Sequence, residues 1–268
     1  IMFRELELTG VNVRSAHNAT GDGVTNDRAA FSAADTAAAV ASNGSDVVPA
    51  GTYLISTSLT ISSPVIMLPG AILSVPTGVT VTFSADPTLP NQKVFSLTGT
   101  GSVVFPTHTD EYHARWWGAE GVGARTDNEV PIQAAIDCAS VSSSLNGGIV
   151  RLQTGTYLCS ATINMKNKVS LVGTNRGSVE LFANAATWGA STSMVYFANG
   201  GFTINASYLK DMTVRPNNVA AITAAIDGNT MGPSSGLMRV IVWGFVNTGL
   251  NIATGALGYT LWELNDVE

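Results

Sequence analysis

The sequence predicts an all-β fold, a β-solenoid in which short strands stack as a parallel β-helix, with two short capping α-helices. Three hydrophobic strings near the end of the chain begin at Leu209, Leu237 and Leu264, at steps of 28 and 27 residues. A self-similar period in the twenties, rich in Val, Ile, Asn and Gly, is typical of stacked solenoids. A longer repeat supports the same fold, because a Gly-rich turn, a helix and a strand–turn–strand block each occur twice.

The two predicted helices each follow a Gly-rich turn. Residues 21–27 lead into an Ala-rich segment that predicts a helix from Arg28 to about Ala41, and residues 121–128 lead into a helix from Glu129 to about Ser140. In the second copy Thr126 stands three residues before Glu129, which is the spacing of a capping box. Apolar residues then recur at helical spacing: Ile132, Ala135, Ile136 and Ala139.

Each helix is followed by a strand, a Gly-containing turn and a second strand, in residues 46–55 and again in 148–158. Further short strands are predicted between and after these blocks. In the last repeat a period of two places Met212, Val214, Val240 and Val242 inside. The side chains expected to point outward are Asp211, Thr213, Arg215, Arg239, Ile241 and Trp243.

The composition fits many short strands joined by tight turns. Only 12% of the residues are charged, and 45% are hydrophobic, which argues against a disordered chain. The net charge is −6 and no Lys/Arg cluster is present, which argues against nucleic acid as a partner. No run of 18 apolar residues predicts a membrane span. Cys138 and Cys159 are too few for a disulfide framework and are expected to be buried free thiols.

Two blocks of the chain carry a family likeness. The first comprises Val11–Val13, residues 21–27, the Ala-rich helix and Pro49–Tyr53, and the other comprises Trp116–Ala119, residues up to Thr126, Ile132–Asp137 and Gly155–Tyr157. The first block resembles the opening of pectate-lyase-like right-handed parallel β-helix proteins. The other block is similar to the additional opening found in many bacteriophage tailspike depolymerases. The resemblance covers roughly residues 11–268 and implies a right-handed parallel β-helix in a trimeric, glycan-directed phage spike.

The chain departs from the catalytic patterns of that superfamily. It has Asn26-Asp27 where the first motif usually pairs two aspartates, and Gly121-Val122-Gly123 where Gly-Asp-Gly is common. The aspartate cluster that holds Ca²⁺ in true pectate lyases has no visible counterpart in the sequence. The Asn-Thr-Asp, Asp-Asp and Gly-His-Gly strings of polygalacturonases are absent too. The resemblance therefore implies a fold and a glycan target without locating the chemistry.

These blocks divide the chain into three parts. Residues 1–15 are a connector from an upstream region, 16–110 are a first capping module, and 111–268 hold the second cap and the first rungs of the main β-helix. The chain starts at Ile1 rather than Met, and its third repeat stops in mid-strand at Glu268. A solenoid that ended there would leave an unpaired edge. We therefore expect a piece of a longer protein, truncated at the C-terminal end.

Asp211, Asp266 and Arg239 are the candidate catalytic residues. Glycan hydrolysis needs two carboxyl groups, and Asp211 and Asp266 occupy equivalent positions two rungs apart. Stacked strands place their Cα atoms on the order of 9–10 Å apart, near the upper end of the roughly 6.5–9.5 Å used in inverting hydrolysis. The alternative is a solvated Asp–Arg–Asp ladder, because Arg239 between them would hold both carboxylates ionised.

Trp243 and Arg215 are the candidate glycan-binding residues. By alternation Trp243 faces outward, where its ring could stack on a sugar or contact another subunit of a trimer. Trp116 and Trp117 are expected to pack at the module junction or between subunits. The histidines have no ligand spacing with either cysteine, so no metal site and no cofactor are expected.

The resemblance implies part of a phage tailspike that binds and depolymerises host capsule or lipopolysaccharide, located on the virion tail or outside the cell. Its expected partners are that polysaccharide, copies of itself in a homotrimer, and tail or baseplate proteins through the N-terminal side, but neither nucleic acid nor membrane. One alternative is a non-catalytic structural stem, and another is a secreted bacterial polysaccharide lyase or epimerase. An enzyme is favoured for the parent protein, whereas the 268-residue chain alone is expected to be catalytically silent.

Overall fold

A computed structural model of the chain describes residues 10–41, 44–107, 111–121, 127–142, 147–197, 204–228, 231, 234–244 and 248–251, with the backbone of 264–265. The chain divides into two compact units, residues 1–108 and 109–268. Within the described residues every strand pair is parallel, and two α-helices are present. The predicted all-β class with two short α-helices is confirmed, and the parallel sheets fit a β-helix.

The first unit contains three parallel sheets that the chain visits in turn. Their orders are β1-β3-β6, β2-β4-β7-β9 and β5-β8-β10. The elements are β1 (Val11–Asn12), β2 (Asp22–Asn26), α1 (Arg28–Val40), β3 (Asp46–Val48), β4 (Gly51–Leu54), β5 (Leu59–Ile61), β6 (Val65–Met67), β7 (Ala71–Val75), β8 (Thr80–Phe83), β9 (Phe95–Leu97) and β10 (Ser102–Val104).

Stacked aromatic rings fill part of the interior of the first unit. The rings of Phe83 and Phe105 are stacked with their centroids 5.3 Å apart. Phe95 lies tilted against both, at 6.2 and 6.0 Å. All three side chains are almost completely buried, and burial of each contributes roughly 1.5–3 kcal/mol to folding. The cyclic path of the chain thus brings one Phe from each of three successive segments into a single cluster.

The second unit follows the same cyclic path. One sheet runs β11-β12-β15-β18-β16-β13, with β20 paired to β18 and β22 paired to β20, and another sheet runs β14-β17-β19-β21. A 3-10 helix (Ala114–Trp117) follows β11. The elements are β11 (Glu111–His113), α2 (Glu129–Val141), β12 (Gly148–Leu152), β13 (Gly155–Cys159), β14 (Ile163–Met165), β15 (Val169–Gly173), β16 (Val179–Ala183), β17 (Ser193–Phe197), β18 (Tyr208–Arg215), β19 (Ala224–Asp227), β20 (Gly236–Val242), β21 (Thr248–Asn251) and β22 (Leu264–Asn265).

The sequence repeat of the last three hydrophobic strings corresponds to the register in which neighbouring strands pair. Leu209 of β18 pairs with Leu237 of β20, and Leu237 pairs with Leu264 of β22. The side chains of Leu209 and Leu237 are fully buried. The predicted stacking of these three positions is therefore confirmed, and each step of 27 or 28 residues corresponds to one turn of the chain through the sheets.

A corner divides β18, and another divides β20 one turn later. Asp211 has φ 57° and Arg239 has φ 51°, in the left-handed region that non-glycine residues enter at a cost. The first half of β18 pairs with β15 and the second half with β16. Because the corner residue interrupts the alternation, Leu209 and Met212 are both buried although they are three positions apart.

One predicted orientation is wrong although Met212 and Val214, on either side of it, are buried as predicted. Thr213 was expected to point outward, but it is only 8% exposed. Its hydroxyl donates a hydrogen bond to the carbonyl oxygen of Arg176 at 2.9 Å, so the loop between β15 and β16 covers it. Arg239 and Trp243 are exposed as predicted, and Ile241 is half-buried.

The doubled block forms the same hydrogen bonds in both units. Asp27, before α1, accepts from the backbone N–H groups of Thr20 at 2.6 Å and Gly21 at 3.1 Å. Asn128, before α2, accepts from the backbone N–H of Glu120 at 2.8 Å. Both side chains are almost fully buried, at 2% and 1% exposure. A single buried amide or carboxylate group therefore fixes the turn before each helix.

The helices agree with the prediction to within one residue at either end. The predicted capping box differs, because Asn128 is the N-cap of α2, and its side chain bonds to Glu120 rather than to the helix. The side chain of Asp127 accepts from the backbone N–H of Glu129 at 3.1 Å instead. Thr126 lies outside the described residues.

The tyrosines of the two Gly-Thr-Tyr strings close the strand–turn–strand block. The Tyr53 hydroxyl donates to the carbonyl oxygen of Pro49 at 2.9 Å, and the Tyr157 hydroxyl donates to that of Gln153 at 2.8 Å. Both rings are buried, at 0% and 2% exposure. A buried hydroxyl needs such a partner, and in both blocks that partner is the carbonyl oxygen four residues before the Tyr.

Side chains of both helices form hydrogen bonds with backbone groups at or beside the first strand of a sheet. The Gln133 side chain of α2 accepts from the Asn164 backbone N–H at 2.8 Å and donates to the Asn164 carbonyl oxygen at 3.1 Å. In the first unit, Asp35 of α1 accepts from the backbone N–H groups of Ser62 at 2.9 Å and Ser63 at 2.7 Å. Gln133 thus pairs with the first strand of its sheet where another strand would otherwise stand, whereas Asp35 binds the backbone directly after β5.

Several titratable groups are buried without charge compensation. Asp46 of β3 is completely buried, and neither carboxylate oxygen has a hydrogen-bond partner among the described residues. Burial, and secondarily the charge of Asp35, raises its pKa to about 7. Cys138 and Cys159 are buried free thiols, as predicted, and burial raises the pKa of both.

We expect Asp46→Asn to stabilise the protein increasingly as pH rises. The folded-state pKa of Asp46 lies above its ordinary value of 3.8, so the folded state holds the proton more tightly. The wild type therefore loses stability between about pH 4 and 7, by on the order of 4 kcal/mol, whereas the variant does not. Urea unfolding at a series of pH values measures the difference.

Asp22→Asn is the matched control for that experiment. Hydrogen bonds from the backbone N–H groups of Val24 and Thr25 lower the pKa of the exposed Asp22 carboxylate. Its stabilising effect is present above its ordinary pKa and is lost as pH falls, so the variant should lose stability relative to the wild type as pH rises. A flat difference for Asp46→Asn would contradict its burial as an unpaired carboxyl group.

We expect Gln133→Leu to destabilise the second unit by about 1–3 kcal/mol, because it leaves both backbone groups of Asn164 without their partner. Gln133→Glu should recover little of this loss, since a carboxylate accepts from the N–H but cannot donate to the carbonyl. Hydrogen exchange of the Asn164 amide is the direct measurement. An amide equally protected in all three proteins would show that the side chain does not cap the edge.

Candidate functional site

The predicted catalytic residues Asp211 and Arg239 form an ion pair. Arg239 Nη2 donates to Asp211 Oδ2 at 2.6 Å, and Arg239 Nε donates to Asp211 Oδ1. The Asp211 side chain is 13% exposed and that of Arg239 is 46% exposed. The fork geometry arises because the two corner residues occupy equivalent positions on neighbouring strands. Asp266 lies outside the described residues.

Another ion pair lies on the same sheet, between β11 and β12. Arg151 Nε donates to Glu111 Oε2 at 2.9 Å, and Arg151 Nη2 donates to Glu111 Oε1. This hydrogen bonding lowers the pKa of Glu111 and raises that of Arg151, to which the charge of Asp211 also contributes. The two ion pairs thus lie on one sheet, Glu111 and Arg151 on β11 and β12 and Asp211 and Arg239 on β18 and β20, with β15 between the pairs.

The predicted glycan-binding residues also contact each other. The Arg215 guanidinium carbon lies 3.7 Å from the centroid of the Trp243 ring and 4.9 Å from that of Phe182. Arg215 Nη1 donates to Glu180 Oε1 at 3.4 Å. Trp243 is 46% exposed. One side of the Trp243 ring is thus covered by a cation whose charge is balanced by Glu180, which leaves less of the ring for stacking on a sugar.

A separate open groove, with a volume of about 500 Å³, crosses the sheet β14-β17-β19-β21. Asn164, Tyr196 and Asp227 are paired in register on β14, β17 and β19, and so form a column across the strands. Glu129, from the first turn of α2, completes one side. The remaining lining residues are small or hydroxylated: Ala161, Thr162, Ala190, Ser191, Thr192 and Ser193.

The groove is acidic. Glu129 and Asp227 line it, and burial, together with the charges of Asp127 and Asp137, raises the pKa of Glu129. Lys166 Nζ lies 3.7 Å from Asp137 Oδ1 and offsets part of this charge. A carboxyl group with a raised pKa near another carboxyl group is an arrangement that can give and take protons.

The sequence carries little signal for this groove. Glu129 stands where an acidic residue commonly favours a helix N-terminus, so its position has an ordinary structural explanation. Asp227 is 31 residues after Tyr196 and 63 after Asn164. The single steps, 32 residues from Asn164 to Tyr196 and 31 from Tyr196 to Asp227, are longer than the 27–28-residue repeat. A search that allowed unequal turns could have aligned the three positions.

Other site classes find no support among the residues that the structure describes. No three His, Cys, Asp or Glu side chains come together there in a way that could hold a metal ion. The same part of the chain has no helix that is long and apolar enough to cross a membrane.

A model of the family described as rhamnogalacturonase A/epimerase, pectate lyase-like, matches residues 10–98. This is about a third of the chain and contains the first Gly-rich turn, α1 and the first Gly-Thr-Tyr string. The match supports the pectate-lyase-like superfamily for this segment. A search of curated proteins gave no match.

Two solved structures are similar over most of the chain. A Geobacillus virus E2 protein, ORF18, is 11% identical with a TM-score of 0.37, and the similarity covers 97% of this chain. The chain spans 60% of the length of that viral protein. The Streptococcus pneumoniae surface protein and adhesin PfbA is 13% identical with a TM-score of 0.26, over 94% of this chain and 70% of the adhesin chain.

We expect the Asp211–Arg239 pair to contribute about 1 kcal/mol or less to stability, because Arg239 is largely exposed. A double-mutant cycle with Asp211→Asn and Arg239→Gln, followed by urea unfolding, measures the coupling. The same cycle on Glu111 and Arg151 is the comparison. If Asp211→Asn leaves stability unchanged but abolishes cleavage of a polysaccharide, the pair is catalytic and the ladder interpretation is wrong.

Proposed function

We propose that the chain is part of a phage tailspike that binds and depolymerises host surface polysaccharide, with a right-handed parallel β-helix as its scaffold. The pectate-lyase-like match over residues 10–98 supports a polysaccharide-related function. The doubled cap, with its repeated buried hydrogen bonds in front of α1 and α2, supports the resemblance to tailspikes that have two openings. The parallel sheets, visited in cyclic order, support the β-helix.

The observation that carries the proposal is the groove across β14, β17 and β19. Its lining offers hydroxyl and amide groups that can pair with sugar hydroxyls, and Tyr196 offers an aromatic side chain. An open groove suits a polymer, since the chain of sugars can continue beyond the bound residues. We place binding here, with Glu129 as the proton donor and Asp227 as the other carboxylate where cleavage occurs.

The roles predicted for Asp211, Asp266 and Arg239 in catalysis, and for Arg215 and Trp243 in glycan binding, stay predictions. The bidentate ion pair favours the ladder alternative, because both carboxylate oxygens of Asp211 already accept hydrogen bonds from Arg239. The same observation favours the alternative function, a non-catalytic stem, for the face of the sheet that carries these pairs. The homotrimer, the tail contacts and the virion location also remain proposals.

The proposal is tested with the 268-residue chain on an array of bacterial capsules and O-antigens, followed by a reducing-end assay on each bound polymer. We expect binding to at least one polymer, and a loss of affinity of at least about ten-fold in Asp227→Asn, because a charged hydrogen bond is worth roughly 1.5–3 kcal/mol. Glu129→Gln should retain binding but abolish any cleavage, since it keeps the shape of the side chain without its proton.

Asp22→Asn, which removes an exposed carboxylate of the first unit, is the charge-matched control and should bind like the wild type. Absence of any bound polymer would overturn the proposed function. Binding unaffected by Asp227→Asn would place the glycan elsewhere on the chain.

A further inference from the structure

One wall of the groove is formed by the end of the loop between β16 and β17, together with the first residue of β17. Residues 190–193 follow one another along the chain and supply four of the ten lining residues that the structure describes. The loop is anchored before this segment, because the backbone N–H of Gly189 donates to the carbonyl oxygen of Ser160 at 3.2 Å. It is anchored again at Thr192, whose carbonyl oxygen accepts from the backbone N–H of Thr223 at 2.8 Å.

Between these two anchors a single side chain holds the wall. The indole N–H of Trp188 donates to the carbonyl oxygen of Ser191 at 2.9 Å. Within the described part of the chain, this is the one hydrogen bond that Ala190 or Ser191 forms. A Cβ atom added at Gly189 would meet nothing within 4 Å beyond its chain neighbours, so packing does not restrict the residue before them. The position of Ala190 and Ser191 therefore depends on Trp188, which does not itself line the groove.

The side chains of Ser191 and Thr192 offer hydroxyl groups to a ligand. Ser191 is half-buried and Thr192 is exposed, and neither hydroxyl forms a hydrogen bond with another described residue. The hydroxyl of Thr162, which also lines the groove, is by contrast donated to the carbonyl oxygen of Ser193. A hydroxyl group has one donor and two acceptor lone pairs, which is the hydrogen-bonding capacity of a sugar hydroxyl. Ser191 and Thr192 can therefore pair with a glycan without breaking a bond within the protein.

We propose that Ser191 and Thr192 contact the polysaccharide and that Trp188 is the residue that positions this wall. The inference rests on the proposed function of the groove and identifies which of its residues select the glycan. Because the indole fixes the wall before the polymer arrives, binding does not have to order Ala190 and Ser191 and loses less conformational entropy. Without the indole N–H, part of the binding free energy would be consumed in ordering them.

Substitutions that remove single hydrogen-bonding groups test the proposal, with the polymer that the wild-type chain binds most tightly on the array. We expect Ser191→Ala and Thr192→Val each to weaken binding by about two- to ten-fold, the range for one neutral hydrogen bond. Trp188→Phe, which removes the indole N–H, should weaken binding by a similar factor. Thr187→Val is the matched control, because Thr187 is an exposed residue of the same loop that does not line the groove, and it should bind like the wild type.

NMR of the Trp188 indole N–H separates positioning from a general effect on stability. We expect this signal, assigned in the wild-type chain, to shift when the polymer binds, because its acceptor is the carbonyl oxygen of a residue that contacts the glycan. A residue that only stabilised the fold would give the same signal with and without polymer. Urea unfolding of each variant accompanies the binding measurement, and Ser191→Ala and Thr192→Val should unfold at the wild-type midpoint, because neither side chain is buried.

The outcomes separate the inference from the proposed function. If no polymer on the array binds, the proposed function fails and the inference fails with it. If a polymer binds and Ser191→Ala and Thr192→Val both bind it like the wild type, the inference is wrong while the polysaccharide function stands. An indole signal that does not respond to the polymer refutes the positioning role of Trp188. A loss of affinity in Thr187→Val as large as that in Thr192→Val would show that any change in the loop weakens binding, which would also overturn the inference.

Discussion

The open edge at the first turn of each unit is the constraint on which the rest of the structure depends. A parallel sheet must begin with a strand that has unpaired N–H and C=O groups on one side, and buried backbone groups need partners. Gln133 of α2 supplies both partners for the Asn164 backbone of β14, and Asp35 of α1 accepts from the backbone N–H groups of Ser62 and Ser63, directly after β5. A helix thus supplies hydrogen-bond partners at or beside the first strand of a sheet in each unit, and the sequence contains the whole block twice.

Buried polar side chains then hold each helix in position over its edge. Asp27 and Asn128 differ in charge, yet each lies immediately before a helix and accepts hydrogen bonds from the preceding turn. The residues before them, Asn26 and Asp127, both accept from the backbone two positions later. The pair Asn-Asp in one unit and Asp-Asn in the other thus performs one structural task, since both need only an oxygen acceptor.

The fold was predictable because it depends on repeats, whereas the groove depends on loop lengths. Leu209 and Leu237 repeat at the length of one turn, and the helices begin and end within a residue of their predicted limits. The outward position predicted for Thr213 was wrong, because the loop that carries Arg176 covers this side chain, and the strand pattern contains no sign of that loop. Asn164, Tyr196 and Asp227 align only after the unequal turns are folded, so their spacing in the sequence carries little information.

The two acidic sites of the second unit differ in what surrounds their carboxyl groups. Asp211 faces a guanidinium that neutralises it and fixes its orientation, which suits a structural column on the face of a sheet. Glu129 faces other carboxylates and partial burial, and both effects raise its pKa. A group can deliver a proton near neutral pH only when its environment disfavours the ionised form. A cation thus holds the carboxyl group at the corner, whereas burial and neighbouring carboxylates raise the pKa of the carboxyl group in the groove.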